Sequence, residues 1–190
     1  MIIGLYSSKP RSGKGETSKI LMEHFQGAVV RSFAEPLKQM GITFLMQCGV
    51  SREQAAAYMY EDRETPIKEV PGEPTGRWLL QSLGTEWGRG CIHQELWVKI
   101  LESNSKTDKH TIIDDMRFPN ELRMVLENRG ALIRIERDIT IQQDVLSHSS
   151  EGGLDKYFGG SIKCAYNIQN DSSLEDLAAK VASVAKAIRS

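Results

Sequence analysis

The chain has 190 residues, enough for one domain with a sizeable core, and its 40% hydrophobic and 26% charged residues are ordinary for a soluble globular protein. The formal net charge is −1, which argues against a protein that coats nucleic acid or a membrane surface. Three widely spaced cysteines without a CxxC pair predict neither a disulfide framework nor a zinc site, so we expect a cytoplasmic protein. The apolar stretch at residues 1–6 is too short for a signal sequence or a membrane span.

Short apolar runs rich in β-branched residues alternate along the chain with longer amphipathic segments. The runs predict strands at 1–6, 28–33, 110–115, 131–136 and 164–169. The amphipathic segments predict helices around 14–26, 35–47, 75–89, 94–103 and 120–129, and a last helix whose apolar face runs from Leu174 to Ile188. This alternation predicts an α/β fold in which helices cover both faces of a parallel sheet.

Two kinds of loop signal complete this description. Ser172, three residues before Glu175, predicts a capping box at the start of the last helix. Proline, glycine and polar residues concentrate at 62–76 and 138–160. Because neither segment is flanked by a change in composition, we expect both to be mobile insertions, of the kind that close over active sites, and not domain boundaries.

The strongest local pattern is SSKPRSGKGET, residues 7–17, between the first strand and the first helix. A phosphate loop reads GxxxxGK[ST] in this context; here Ser8 takes the first glycine position and Gly15 takes the place of the hydroxyl residue. Backbone N–H groups at the helix N-terminus would bind phosphate, and Lys14 would reach the β- and γ-phosphates of ATP. A surface turn that only starts a helix is the alternative. The residues predicted to bind ATP are Arg11, Ser12, Gly13, Lys14, Gly15, Glu16 and Thr17.

A second candidate site follows the third predicted strand, in the segment HTIIDDMRFPNE at 110–121. Ligands of open α/β sheets bind at the carboxyl ends of the strands, and a carboxylate there commonly holds Mg²⁺. Asp114 or Asp115 could serve, since alternation directs them to opposite sides; capping of the next helix is the alternative role. Arg117 follows on the same edge, where a guanidinium suits a phosphate, or a surface salt bridge.

The segments SFAEPLK (32–38), LLQSLGTEWGR (79–89), LW (96–97), IIDDMRFPNE (112–121) and HSSE (148–151) occur together and in this order. With them the chain resembles the deoxynucleoside monophosphate kinases of tailed bacteriophages. The resemblance implies a three-layer α/β/α P-loop fold with a mostly parallel, five-stranded sheet, like that of nucleoside monophosphate kinases. It also implies transfer of the γ-phosphoryl group of ATP to a dNMP, with Mg²⁺, for DNA precursor synthesis. The phosphate loop departs from the simpler GK[DS]T of the family.

The matched segments also supply candidate residues for binding the acceptor. Gln81, Thr85 and Arg89 recur every four residues, so they would share one helical face and could contact a base and a phosphate. Trp78 could either pack or stack on a base. The full set of predicted acceptor-binding residues is Glu35, Lys38, Arg77, Trp78, Gln81, Thr85, Arg89 and Arg117. Arg137, just after the fourth strand, is expected to be a lid arginine, and His148 to have a lid or structural role.

The resulting hypothesis is one P-loop kinase domain over 1–190, with an acceptor-binding helical insertion at about 34–105 and a lid at about 138–160. It expects ATP and a dNMP as partners, no stable nucleic-acid complex and no membrane, and it leaves a homodimer open. If a phage encodes the chain, the location is the host cytoplasm. Two alternatives are a kinase of another small acceptor such as dephospho-coenzyme A, and a P-loop ATPase or nucleotide-gated binding module. The residues expected to act in in-line transfer, without a phosphoenzyme, are Lys14, Asp115, Arg117 and Arg137.

Overall fold

The computed structural model describes residues 1–137, 154 and 165–190. The predicted lid, apart from Leu154, and with it His148 and the HSSE segment, lies outside the described residues. In chain order the elements are β1 (Ile2–Tyr6), α1 (Lys14–His24), β2 (Ala28–Arg31), α2 (Glu35–Gln47), α3 (Arg52–Tyr60), α4 (Gly76–Gln81), a π-helix (Ser82–Ile92), α5 (Leu96–Asn104), β3 (His110–Ile113), α6 (Pro119–Glu127), β4 (Ala131–Glu136), β5 (Ala165–Gln169) and α7 (Leu174–Arg189).

The chain forms two compact units, which we call the sheet unit (Met1–Ser32 with Glu102–Ser190) and the helical unit (Phe33–Leu101). In the part of the chain that is described, no helix combines the length and the apolar character needed to cross a bilayer.

The sheet unit contains five parallel strands in the order β2-β3-β1-β4-β5. β1 is the central strand, and the chain passes from one side of it to the other between β3 and β4. In such a sheet the ligand crevice lies at the carboxyl ends of the strands, beside this change of direction. The segments that follow β1, β3 and β4 therefore reach the same edge of the sheet.

The two faces of the sheet are covered by different helices. Ile3, Leu5 and Ile133 belong to a buried cluster that also contains apolar side chains of α1 and α7. On the opposite face, α6 and the segment before it pack against β1. A Cβ added to Gly4 would lie 2.1 Å from Met116 Sδ and 3.2 Å from a methyl group of Val125. The unit is thus a three-layer α/β/α structure, as the resemblance implied.

The helical unit has a separate apolar core. The buried side chains of this core come from α2, the turn between α2 and α3, α3, the segment before α4, and α4: Ile42, Leu45, Val50, Ala55, Tyr58, Met59, Ile67, Val70 and Leu79. The helices approach closely at Gly41 and Gly76, where an added Cβ would lie 2.4 Å from Met59 Sδ and 2.0 Å from the Tyr58 carbonyl oxygen.

The five predicted strands are confirmed within two residues at each end, and so are most of the helices. The helix α3 was missed, although Ser51 accepts a hydrogen bond from Gln54 N–H as its N-cap. The cap of α7 is Ser173, which accepts from Asp176 N–H, and not the predicted Ser172. A shift of one residue is a small error, because consecutive serines offer the same hydroxyl.

Two further expectations are corrected. The segment 62–76 is anchored and not a mobile insertion, because Ile67 is fully buried in the helical core and its N–H donates to Pro74 O at 3.0 Å. The helix predicted at 75–89 is α-helical only as far as Gln81. Beyond that point the backbone hydrogen bonds reach back five residues, as from His93 N–H to Gly88 O at 3.0 Å.

Candidate active site

The segment between β1 and α1 has the backbone of a ligand-binding loop. Arg11 and Gly13 both adopt left-handed conformations, with φ of 56° and 102°. Only glycine adopts the second of these without strain, and strained residues such as Arg11 concentrate at functional sites. α1 begins at Lys14, so the free N–H groups of its first turn lie directly after this loop, at the carboxyl end of the central strand.

Two buried hydroxyl groups of this segment point to a ligand. Ser12 is 1% exposed and Thr17 is fully buried, and neither hydroxyl oxygen has a hydrogen-bond partner among the described residues. A buried polar group without a partner is costly, and an oxyanion or a hydrated cation could supply one. Gly15 leaves open space, with no heavy atom within 4 Å of where its Cβ would be. The loop therefore fits a polyphosphate and its magnesium ion.

The side chains of the first helical turn point in different directions. Glu16 pairs with Lys19 at 2.7 Å on the exposed side of α1. Ser18, by contrast, is buried and donates to Gly15 O at 2.8 Å. Glu16 thus has a surface partner for its carboxylate, and its predicted part in ATP binding, like that of the other loop residues, stays a prediction.

The predicted acidic edge follows β3, as expected. Asp115 is partly buried and accepts a hydrogen bond from the hydroxyl of Ser32, which follows β2, at 2.5 Å. No group of three histidine, cysteine or acidic side chains suited to a metal ion occurs among the described residues. Mg²⁺ in kinases needs no such group, because it is held by one or two carboxylates together with phosphate oxygens and water. Asp114 and Asp115 fit that requirement.

The backbone after β3 is held by Glu121, which is only 2% exposed. Its carboxylate accepts from the N–H groups of Arg117, at 2.6 Å, and of Phe118, at 3.0 Å. This contact fixes the start of α6 and the position of the Arg117 backbone. Sequence reasoning missed Glu121, although a Glu at the third position of a helix is the usual partner in such a cap.

Two residues beyond the loop contact its backbone. The Arg137 guanidinium lies 3.5 Å from Arg11 O, so the structure brings this predicted catalytic arginine to the loop between β1 and α1. The Asn170 side-chain amide donates to Ser12 O at 2.8 Å. Asn170 was not predicted, because no local pattern marks it.

In the helical unit, Glu35 and Lys38 both contact Tyr60. The Tyr60 hydroxyl donates to Glu35 at 2.7 Å, Gln39 donates to the same carboxylate at 2.8 Å, and Lys38 Nζ lies 4.4 Å from the Tyr60 ring centroid. Burial and the bond to Glu35 raise the pKa of Tyr60 to about 12. Burial alone would raise the pKa of Glu35, but the hydrogen bonds from Tyr60 and Gln39 and the charge of Lys38 lower it. Glu35 therefore stays an anion held in place.

The remaining predicted acceptor residues lie on α4 and the π-helix. Arg77 is paired with Glu64, Trp78 is 57% exposed, and Arg89 donates to Gln94 O at 3.1 Å. Gln81 and Thr85 are partly buried. Exposure excludes a core role for Trp78, and the acceptor-binding role of all these residues stays a prediction.

An apolar groove of about 480 Å³ lies between α2 and the π-helix, within the helical unit. Its walls include Met40, Phe44, Leu83 and Trp87. The residues that line the groove do not include the predicted acceptor residues of α4 and the π-helix, which are Arg77, Trp78, Gln81, Thr85 and Arg89. The groove and the predicted acceptor-binding residues therefore occupy different parts of these helices.

Comparison with known proteins identifies the family. The family model described as deoxynucleotide monophosphate kinase matches residues 45–181, well over half of the chain. The chain belongs to this family. The resemblance seen in the sequence is thereby confirmed, and deoxynucleotide monophosphate kinases are phosphotransferases, the enzyme class that the sequence predicted.

Two relatives illustrate this similarity. The chain is 33% identical to the deoxynucleoside-5′-monophosphate kinase of Escherichia phage T5 over 110 residues, which cover 52% of this chain but only 43% of the phage protein. It is 30% identical to a protein of Acanthamoeba polyphaga mimivirus over 199 residues, covering 96% of this chain and 95% of that protein. The mimivirus protein is provisionally named a deoxynucleotide monophosphate kinase. The second match extends the family similarity over nearly the whole chain.

Proposed function

We propose that this kinase transfers the γ-phosphoryl group of ATP to a deoxynucleoside 5′-monophosphate, giving the diphosphate for DNA precursor synthesis. Membership of the family supports the acceptor class. The observation that carries the donor assignment is the loop between β1 and α1, with its left-handed Gly13 and the two buried hydroxyls of Ser12 and Thr17. A left-handed glycine at a helix N-terminus suits a loop whose N–H groups bind phosphate, and the two hydroxyls, without a partner in the described part of the chain, are available to contact phosphate or its cation.

In the proposed mechanism the chain acts by positioning and by charge. N–H groups of 11–15 and the Lys14 ammonium bind the ATP phosphates, so that the γ-phosphorus faces the acceptor. A phosphate oxygen of the dNMP forms the new P–O bond as the bond to the bridging oxygen breaks, and ADP leaves with that electron pair. Arg117 and Arg137 balance the charge of the group in transfer, which is the main protein contribution to such a loose transition state.

Asp114 and Asp115 are the residues that would hold Mg²⁺, which when bound neutralises charge on the β- and γ-phosphate oxygens. Ser32 supports this role, because its hydrogen bond at 2.5 Å orients the Asp115 carboxylate. A neutral hydroxyl donor orients the carboxylate without adding a positive charge that would compete with the cation. Acceptor recognition is assigned to Glu35, Lys38 and the residues of α4 and the π-helix, and this assignment rests on the sequence.

A panel of acceptors tests the proposal. ADP release by the purified chain is measured with ATP and, in turn, each dNMP, each ribonucleotide monophosphate, dephospho-coenzyme A or no acceptor. We expect turnover that depends on a dNMP and is lost when EDTA removes Mg²⁺. Turnover only with dephospho-coenzyme A would show that the acceptor is that compound and not a dNMP. Hydrolysis of ATP without any acceptor would show that the protein is an ATPase.

The part of the loop in this reaction is tested by Lys14→Ala. Loss of the ammonium removes a charge that stabilises the transferring group, so kcat should fall by about a hundredfold or more while the circular dichroism spectrum is unchanged. Lys19→Ala is the control, because Lys19 belongs to the same helix but pairs with Glu16 on its exposed side. Equal turnover in wild type and Lys14→Ala would remove the loop from the mechanism.

A further inference from the structure

Asn170 is a buried amide at the carboxyl end of the outermost strand on the β4 side. It directly follows β5 and is only 8% exposed. Its backbone N–H donates to Glu136 O, at the end of β4, at 2.7 Å. Its side-chain amide donates to Ser12 O at 2.8 Å, across 158 positions of sequence. A carbonyl can only accept, so the NH₂ group of Asn170 must be the atom that faces Ser12.

The same amide explains the glycine of the loop. A Cβ added to Gly13 would lie 2.3 Å from Asn170 Nδ2, which is too close for a Cβ atom and a nitrogen that are not bonded. Gly13 is also left-handed, with φ of 102°, and forms the N-cap of α1. Position 13 therefore needs glycine for two independent reasons, one of which is the close approach of Asn170.

We propose that Asn170 is a positioning residue for phosphate binding, which holds the Ser12–Gly13 peptide of the loop in one orientation. In a trans peptide the C=O and N–H groups point in opposite directions, and no described peptide of the chain is cis. A Ser12 carbonyl that is held toward Asn170 therefore directs the Gly13 N–H away from Asn170, to the side on which the phosphates bind. This inference rests on the proposed binding of ATP by the loop.

The need for such a clamp follows from the backbone of the loop. Arg11 and Gly13 adopt left-handed conformations on either side of Ser12. A flip of the Ser12–Gly13 peptide would turn the Ser12 carbonyl oxygen toward the phosphates. Because an oxygen there repels an anion, the flipped state binds ATP poorly. A buried hydrogen bond from a residue anchored on β4 and β5 disfavours that state without adding any charge to the site.

Asn170→Ala and Asn170→Asp test the proposal, with Asn128→Ala as a matched control. The Asn128 amide also donates to a backbone carbonyl, that of Met124, at 2.8 Å, but at the end of α6. We expect Asn170→Ala to raise both the Kd for ATP, measured by titration calorimetry, and KM for ATP by about tenfold. KM for the dNMP should be unchanged, and Asn128→Ala should bind ATP as the wild type does.

Asn170→Asp separates positioning from packing. Aspartate has the shape of asparagine, so a packing role predicts a milder defect than that of alanine. The proposed role predicts a larger rise in the Kd for ATP, because an ionised carboxylate cannot donate and repels both the Ser12 carbonyl and phosphate. A folded Asn170 variant with wild-type ATP affinity, or an Asp variant that binds ATP better than the Ala variant, would overturn the inference. A wild-type chain that binds no ATP would instead overturn the proposed function.

Discussion

The hydroxyls of Ser12, in the loop between β1 and α1, and of Thr17, in the first turn of α1, have no hydrogen-bond partner among the described residues. A buried polar group without a hydrogen bond destabilises a fold by roughly 1–3 kcal/mol. Ser18, one position after Thr17, shows that a hydroxyl in this turn can find a protein partner, since it donates to Gly15 O at 2.8 Å. A protein tolerates such a cost where a ligand repays it. Thr17 is then the candidate for the hydroxyl that the pattern GK[ST] puts at the position of Gly15.

Replacement of Thr17 by the isosteric valine should change stability and binding in opposite directions. Removing an unpaired hydroxyl should raise the free energy of unfolding of the ligand-free chain by about 1 kcal/mol. If the hydroxyl meets a phosphate or a magnesium ligand, the Kd for Mg·ATP should rise by about tenfold. Urea unfolding and titration calorimetry measure the two effects.

Thr43→Val is the control for this prediction, because the Thr43 hydroxyl already donates to Gln39 O at 2.9 Å. That variant should lose some stability and bind Mg·ATP normally. A Thr17→Val chain that is less stable than wild type, with unchanged Mg·ATP affinity, would show that the hydroxyl serves the fold and not the ligand.

At this scale, the sequence predicted residues whose signal is local. Gly13 and Lys14 stand in a pattern of adjacent letters, and Asp115 follows an apolar strand. Two contacts of the site depend instead on the order of strands in the sheet. They are the bond from Asn170 to the Ser12 carbonyl and the bond from Ser32 to Asp115. No periodicity or spacing in the sequence could have revealed these contacts, so the residues that orient the site were missed, and the roles of the residues expected to act in it stay predictions.

The π-helix is the feature of most consequence at the scale of elements. π-Helices usually extend for a single turn and are frequent at functional sites, whereas this one covers Ser82–Ile92. The Trp97 ring packs against it where Gly88 has no side chain, and the indole N–H donates to Gly84 O at 2.8 Å. The glycine at 88 thus lets an aromatic ring reach the helix backbone, where the carbonyl of Gly84 accepts its N–H.

Gly88→Ala should therefore lower the free energy of unfolding, whereas Gly90→Ala should leave it unchanged or raise it. A Cβ at 88 would lie 2.2 Å from Trp97 Cζ2, so the ring must move, which costs about 1–3 kcal/mol. A Cβ at 90 would meet only Thr85 O, at 3.4 Å, and alanine there should be neutral or gain up to about 1 kcal/mol from its helix propensity. Midpoints of urea unfolding give both values, and equal midpoints would refute the packing of Trp97 on Gly88.

Elements were predicted well where period and composition agree, as in the five strands and α7. The π-helix was predicted as part of an α-helix because four-residue spacing fits both kinds of helix over two turns. α3 was missed although Ser51 and Gln54 have the spacing of an N-terminal cap. Its signal was outweighed because only Ala55, Tyr58 and Met59 of this short helix are buried, which is too few for a clear period.

At the scale of the whole molecule, the parallel sheet and the kinase family could be predicted, because both depend on patterns spread over the chain. The strand order could not be read directly, since it depends on which apolar strands pair. One consequence of that order is an ion pair between β2 and the turn before β3. Arg31 Nε and Nη2 donate to the two carboxylate oxygens of Asp108, at 2.9 and 3.0 Å.

This pair makes a specific contribution to the stability of the fold. The hydrogen bonds from Arg31 lower the pKa of Asp108 in spite of its burial, and Thr111 adds a weaker bond at 3.4 Å. The same contact raises the pKa of Arg31, which is charged at all relevant pH values in any case. A carboxyl whose pKa is lower in the folded than in the unfolded chain stabilises the fold above its unfolded pKa. That contribution is lost as pH falls through the folded pKa.

Asp108→Asn should therefore destabilise the chain at pH 7 and lose its effect in acid. The Arg31 side chain is 35% exposed, so water screens the pair, and we expect a loss of about 1–2 kcal/mol at pH 7. The difference in stability between Asp108→Asn and wild type should be constant above about pH 5 and shrink below about pH 4, where the carboxyl of the unfolded chain takes up a proton. It should vanish at still lower pH, once the folded carboxyl is also protonated. His110 also makes stability depend on pH. Because burial lowers its pKa in the folded chain, the unfolded chain binds the proton first, and stability falls below about pH 6.5. That fall occurs in both chains and cancels in the difference. Urea unfolding from pH 7 to pH 3 measures the difference directly, and a gap that persists unchanged at pH 3 would show that Asn disturbs packing and not charge.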